Sequence, residues 1–167
     1  MTHEQVLIWP LRDTDRAAVA RFIEAEWGAL VMVVHGTVFH PAELPGFIAE
    51  LPGQPGGEQP VGLLTYAVAD GALEIVTLNA VRRLAGTGTT LLGYAVTEAG
   101  RLGCREIRLT TTNDNVEGLR FYQRRGFRLA ALRPGAVDEA RRIKPEIPQA
   151  GEHGIPLHDE LDLVRPV

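Results

Sequence analysis

The chain has 167 residues, 45% of them hydrophobic, and a formal net charge of -4. That size suits one domain, 1–167, with a full core, and the interspersed charges lack the basic footprint of a nucleic-acid partner. The single cysteine, Cys104, excludes a disulfide framework or a paired-cysteine metal site, and no leader-like or membrane-length apolar run is evident, so a cytoplasmic protein with no membrane partner is expected.

In chain order, 6–8 before Pro10 reads as a first strand. Asp13 and Asp15 are placed to cap a helix over 16–27, with Val19, Phe22, Ile23 and Trp27 on one face and Gly28 at its end. Residues 30–34 are strand-like and close at His35-Gly36. His35 and His40 flank that turn without a metal-ligand pattern, and no metal is expected. Residues 37–51 mix prolines with bulky apolar residues and read as a packed loop with a short helix. Residues 52–60 are a polar, mobile loop. Two β-rich runs over 61–81 meet at Asp70-Gly71, a strong hairpin signal. In the second run Leu73, Ile75 and Thr77 are expected on one face and Val76, Leu78 and Ala80 on the other. A strand apolar on both faces is central and covered twice.

The stretch RRLAGTGTTLL, 82–92, follows directly. A helix over 87–102 carries Leu92, Ala95, Val96 and Ala99 on one stripe, and Gly103 stops it. Residues 105–112 form a strand. Asn113-Asp114-Asn115 is a capping cluster for a helix reaching Arg125. There Gly126 takes the left-handed position and Phe127 folds back onto Tyr122 in a Schellman motif. Residues 128–133 form a strand, 134–157 are irregular, and 158–164 alternate as the last strand. The order predicts a mixed sheet flanked by helices, built from hairpins and crossovers.

The glycine stretch suits a phosphate. A helix that starts after a central strand aims free N–H groups and a positive dipole end at the strand's edge, and Gly86 and Gly88 let a ligand approach the backbone. No Gly-Lys follows, which removes the triphosphate loop. Leu91 stands where a dinucleotide fingerprint needs glycine. What remains is Arg83-Leu84-Ala85-Gly86-Thr87-Gly88, an Arg-x-x-Gly-x-Gly pattern, or a loosened helix start.

A second motif, NDNVEGLRFYQRRGF at 113–127, joins the first. Together, on these elements, they resemble the GNAT superfamily of acyl-CoA-dependent N-acyltransferases. The resemblance covers 61–133 well. It implies an α/β (α+β) fold with a mixed, twisted, largely antiparallel sheet whose central strands splay. It implies acetyl-CoA as cosubstrate, an amine acceptor and often a homodimer. The pantetheine arm of CoA would pair with Leu78, Asn79, Ala80 and Val81. The pyrophosphate would lie on Arg83 and the amides of Leu84, Ala85, Gly86, Thr87, Gly88 and Thr89. Leu84 and Ala85 replace the glycine and basic residue common in the family, so backbone donors carry more of the binding.

For chemistry, an amine must lose a proton before it attacks a thioester. Glu74 is the candidate base, sharing a face with Val76 and Leu78 where low dielectric favours proton uptake; a solvated Glu74 with a water relay is the alternative. Tyr122 holds the family position of the acid that protonates the leaving thiolate, or is simply a core aromatic. Asn115 is a helix cap, a CoA contact, or both. The Leu78 N–H is a candidate oxyanion donor. Cys104 reads as a core thiol. The regions 36–51 and 134–157 would shape the acceptor side, where Arg141, Arg142 and Lys144 form a solvated helix face or hold an anionic acceptor. The expected activity is N-acetyl transfer by direct attack. A non-catalytic acyl-CoA sensor is the alternative.

Overall fold

The computed structural model describes residues 6–52, 60–81 and 86–167. Its strands are β1 (Leu7–Pro10), β2 (Met32–Val34), β3 (Thr37–Phe39), β4 (Gly46–Glu50), β5 (Gly62–Ala69), β6 (Ala72–Ala80), β7 (Glu106–Thr112), β8 (Arg128–Arg133) and β9 (Glu160–Pro166). The helices are α1 (Arg16–Trp27), α2 (Thr87–Arg101), α3 (Val116–Gln123) and α4 (Ala136–Ile143). Seven strands form one sheet in the order β1-β4-β5-β6-β7-β9-β8, and β2 and β3 form a separate hairpin. Only the β6–β7 pair is parallel; every other neighbour is antiparallel. This is the mixed, largely antiparallel sheet with flanking helices that the sequence predicts.

Two apolar layers cover the sheet. On one face Leu91, Leu92, Ala95 and Ala99 of α2 pack on Phe47, Ala49, Leu64, Tyr66, Leu73, Ile75 and Ile107, with Cys104 and Phe127 in the same cluster. On the other, Val19, Phe22 and Ile23 of α1 pack on Ile48 and Leu63. Alternation along β4 and β5 sends successive side chains to opposite layers. The helix stripes read from the sequence are the ones packed inward, and the Asp70-Gly71 turn joins β5 to β6, with Asp70 at φ 53° and Gly71 at 73°.

Several expectations are corrected. Residues 37–51 have the expected short helix, a 3₁₀ turn over Pro41–Glu43, but the rest is not loop: it contains β3 and β4, whose five residues are all buried. Residues 134–157 contain α4. The 30–34 run leaves the main sheet and pairs as β2 with β3. Asp15 does not cap α1 through its side chain; its carboxylate accepts from the Arg12 backbone N–H at 2.9 Å and from Arg12 Nε at 3.1 Å. Most of the 52–60 loop lies outside the described residues.

The main correction concerns β6. The pairing with β5 runs Thr65↔Thr77 and then Tyr66↔Ile75, so Val76 is an extra residue, a β-bulge. Thr65 and Thr77 hydrogen-bond through their hydroxyls at 2.7 Å. Thr65 alternates with Leu64 of the α2 layer, so Thr77 faces the α1 side and does not share a face with Leu73 and Ile75. Leu78, opposite Leu64, packs into the α2 layer. Glu74 therefore shares its face with Thr77 and Asn79, and not with Leu78.

Gly46 starts β4 where the chain crosses β5 closely: a Cβ there would collide with the Leu64 carbonyl oxygen. The collision is with backbone and cannot be relieved by a rotamer. Gly46→Ala is expected to destabilise the fold by about 2–4 kcal/mol, at the upper end for overpacking. Urea denaturation read by circular dichroism measures it.

Candidate active site

The site begins where two strands part. β6 and β7 pair only over Ala72–Ile75 and Glu106–Leu109, although β6 continues to Ala80 and β7 to Thr112. Beyond Ile75 and Leu109 the strands diverge, leaving a gap whose two edges are open backbone. On the β5 side the Val81 N–H donates to Val61 O at 2.9 Å. Ladder bonds alternate along an antiparallel strand, so the N–H groups of Ala80 and Leu78 point away from β5, into the gap. Asn79, between them, faces Leu63 of β5, and its side-chain Nδ2 donates to Glu26 Oε2 of α1 at 2.7 Å.

The start of α2 lies beyond the end of β6. Its first helical bond is Thr90 N–H to Gly86 O, 3.0 Å. The amides of Thr87, Gly88 and Thr89 precede it and have no intrahelical acceptor. Gly86 is the N-cap at φ 72°, a left-handed position that favours glycine. Thr87 buries its side chain, with 1% of the residue exposed. Arg83, Leu84 and Ala85 lie outside the described residues.

Arg125, which no pattern in the sequence singles out, reaches this helix start from the end of α3. Its guanidinium donates to Thr89 Oγ1 at 3.0 Å from Nε and 2.6 Å from Nη2, and to Phe121 O at 3.0 Å from Nη1. It lies 3.7 Å over the Phe121 ring. A fixed cation thus stands at the positive end of the α2 dipole.

α3 has the ends the sequence predicts. Asn115 caps it, its Oδ1 accepting from Gly118 N–H at 2.9 Å, while its Nδ2 donates to Thr111 Oγ1 of β7 at 2.8 Å. At the other end Phe127 N–H donates to Tyr122 O and Gly126 N–H to Gln123 O, with Gly126 at φ 87°. The Tyr122 and Phe127 rings meet edge-on at 5.7 Å, completing the Schellman motif. Tyr122 has no hydrogen-bond partner for its hydroxyl among the described residues, and desolvation pushes that hydroxyl up to about 12.

Asn113 and Asp114 do not cap α3. Asn113 Oδ1 accepts from the His158 and Asp159 amides at 3.0 and 2.9 Å. The Asp114 carboxylate accepts from Thr112 Oγ1 and from Glu152 N–H. Both therefore hold the segment before β9 against the end of β7. Arg141 does the same from α4: it is largely buried and donates to Ile147 O, Pro148 O and Leu157 O. It is not part of a solvated face. Lys144 Nζ is bound to Val31 O at 3.0 Å. Of the three, only Arg142 keeps a solvated side chain, paired with Glu139 at 3.2 Å.

The α1-side face of β7 and β9 carries a polar cluster. His35 Nε2, from the β2–β3 turn, is 2.7 Å from Asp162 Oδ1 and 3.1 Å from Thr110 Oγ1. Asp162 Oδ2 accepts from Arg133 Nε of β8 at 2.8 Å. Glu160, 4% exposed, has its Oε2 buried without a hydrogen bond, 3.6 Å from His35 Nε2. Burial raises its carboxyl, against the pull of His35. Glu74 lies on this face too, opposite Arg108 of β7. Among the described residues no cluster of His, Cys, Asp and Glu is arranged to hold a metal, and no helix is long and apolar enough to cross a membrane.

The site is thus a parallel strand pair that opens beside a helix N-terminus, with the tyrosine-bearing α3 packed alongside. Residues 11–127 match the acetyltransferase (GNAT) family model, and the chain belongs to that family. It is 37% identical over 156 residues to the uncharacterized protein YdhI of Bacillus subtilis (strain 168), covering 93% of this chain and 95% of that one. It is 38% identical over 159 residues to the uncharacterized protein YxbD of the same strain, covering 95% and 97%. In fold it is similar to an IAA acetyltransferase from Bacillus cereus ATCC 14579, at TM-score 0.69 and 19% identity over 98% of this chain and 100% of that one. It is also similar to a Bacillus subtilis acetyltransferase solved with CoA, at TM-score 0.68 and 18% identity over 98% and 99%. A GNAT family acetyltransferase from Elizabethkingia anophelis solved with acetyl-CoA matches at TM-score 0.65 and 17% identity, over 98% and 99%.

Tyr66 shares the late titration of Tyr122. Desolvation and a hydrogen bond to Glu98 raise it to about 12. A phenol whose folded value exceeds its unfolded value of about 10 stabilises the fold fully below pH 10, and that contribution fades as pH rises toward 12. Ultraviolet titration is expected to show two tyrosines ionising near 12, one of which disappears in Tyr122→Phe, with unfolding stability falling between pH 10 and 12.

Proposed function

We propose that the protein moves an acetyl group from acetyl-CoA to a primary amine by direct attack, with no covalent enzyme intermediate. The observation that carries this reading is the gap itself: two open strand edges that lead to the unbonded first turn of α2. The residues fit the cosubstrate. The Ala80 and Leu78 amides suit an extended, amide-bearing arm, and the amides of Thr87, Gly88 and Thr89 suit a pyrophosphate. Leu84, Ala85 and Arg83 would extend that cradle, and Asn115 would meet the arm through its amide group. Arg125 adds the charge that Leu84 and Ala85 do not. CoA-bound neighbours of the same fold support the assignment.

In this reading the chemical roles fall to three groups. Glu74 sits at the last paired rungs of β6 and β7, on the face open to the acceptor, and takes the amine's proton directly or through water. The amine nitrogen bonds to the acetyl carbonyl carbon, and the C–S bond breaks. The Leu78 N–H, at the open edge, faces the oxygen on which charge develops. Tyr122 gives its proton to the departing sulfur, its phenol being protonated at neutral pH. An acyl-CoA sensor would share the binding groups but show no turnover.

Acetyl-CoA at about a hundred times its Kd is expected to stabilise the fold by about 2.7 kcal/mol, seen as a rise in Tm. Arg125→Ala should weaken that binding about tenfold, the worth of one charge-assisted contact. An unchanged Tm with acetyl-CoA at millimolar concentration would overturn the reading.

Thiol release with an amine panel measures turnover. Tyr122→Phe and Glu74→Gln should each lower kcat by about a hundredfold while acetyl-CoA affinity holds. Turnover by neither the native protein nor a variant, with acetyl-CoA bound, would favour the sensor.

A further inference from the structure

The acceptor face carries more than one carboxylate, and they are too far apart to serve one nitrogen. Glu74 is level with Arg108 of β7, and Glu160 is level with Thr112. Four residues along β7 and two strand spacings across separate them by about 16 Å between Cα atoms. Thr110, the first β7 residue beyond the pairing with β6, stands between. Glu160 lies one strand over and two residues along from it, about 8 Å away.

The second carboxylate of the cluster, Asp162, is already saturated. Its Oδ1 faces Thr110 and His35, and its Oδ2 is paired with Arg133. Glu160 is not: its Oε2 is buried, has no hydrogen bond among the described residues, and is turned toward His35 Nε2. A buried carboxylate oxygen without a donor is costly and marks a place for one. The charged groups that face it are His35 from the β2–β3 turn, Asp162 on its own strand and Arg133 from β8. Arg133 is committed to Asp162. The rim is open, with the His35 side chain 30% exposed.

We propose that Glu160 is the second anchor of the acceptor site and receives a positively charged group of the acceptor, which is a short aliphatic diamine or a longer amine of that kind. This rests on the acetyltransferase reading above. One amine is acetylated at the gap, beside Leu78 and Thr110. The other stays an ammonium and donates to Glu160 Oε2, displacing His35 toward Asp162 alone. Thr110 Oγ1 and Glu160 Oε2 both lie against His35 Nε2, at 3.1 and 3.6 Å, so the side chains at the two ends are at most about 7 Å apart, a span that a few methylenes bridge.

Three amines of equal chain length separate the outcomes: 1,4-diaminobutane, n-butylamine and 4-aminobutyrate, which end in an ammonium, a methyl and a carboxylate. With the native protein, kcat/KM for 1,4-diaminobutane is expected to exceed that for n-butylamine by about tenfold or more, with 4-aminobutyrate poorest. Calorimetry with CoA present should show the same order in Kd. In Glu160→Gln the advantage should fall to about twofold or less through KM, with the KM for acetyl-CoA and the CoA-induced rise in Tm unchanged. Equal handling of the three amines by the native protein, in turnover and in binding, overturns the proposal whether or not the variant folds. So does a preference for 4-aminobutyrate, or an advantage that survives in Glu160→Gln. Failure of acetyl-CoA itself to bind overturns the acetyltransferase reading and this inference with it.

Discussion

The structure turns on one departure from regular pairing: β6 and β7 stop bonding after Ile75 and Leu109. Buried backbone groups are almost always paired, so two strands that continue side by side without bonding create a demand for another partner. The demand is local, because each of the two strands stays paired with its other neighbour. β6 is held by β5 from Gly62↔Ala80 to Ala69↔Ala72, and β7 by β9 from Glu106↔Pro166 to Thr112↔Glu160. The splay is thus a rigid slot. Its walls cannot close without breaking ladders of eight and seven paired residues. That rigidity is what preorganisation requires of a site whose donors are backbone amides.

The bulge at Val76 sets what each wall presents. Without it, strict alternation would send Leu78 to the α1 face beside Glu74 and turn Thr77 into the α2 core. With it, Leu78 packs under α2 and Thr77 bonds Thr65, so the side chains at the slot are anchored on both faces. Bulges often sit next to functional sites for this reason. The opposite face is then left to Glu74, Thr110, Asp162 and Glu160. One face of the slot is apolar and locked, and the other is polar and open to the β2–β3 turn.

Much of this is legible in the chain itself. The turn residues Asp70-Gly71, the Gly126-Phe127 cap, the α2 stripe and the pairing of two motifs across 83–127 each carry a local physical signal. Other features carry none. β4 is buried on both faces, so its period-2 pattern vanishes, and Leu44-Pro45-Gly46 before it looks like a loop. α4 is eight residues long and is capped by Gly135 in place of a Ser, Thr, Asp or Asn. The bulge lies in ALEIVTLNA, which has no glycine or proline to mark it. The polar cluster joins His35 to Asp162 across 127 residues, and no spacing rule reaches that far. Arg125 is hidden differently: it sits inside the recognised motif, but what matters is where its side chain goes.

α3 ties these parts into one unit. Its first residue is fixed to β7 through Asn115 and Thr111, and its end is fixed by the Gly126-Phe127 cap. Between them, the Tyr122 ring packs edge-on against Phe127 while Arg125 reaches Thr89 of α2. Phe121 sits between the two, edge-on to Tyr122 at 5.2 Å and under Arg125 at 3.7 Å. The Phe121 ring lies against Gly88 at the start of α2, at ordinary van der Waals distance from where a Cβ would stand. The charge for the phosphate end and the hydroxyl for the sulfur end, in the roles proposed, are therefore positioned by one ring. In that reading the motif around the tyrosine also carries a cation that Leu84 and Ala85 do not. An arginine already clamped by a stack and three hydrogen bonds loses little further freedom when it meets an anion.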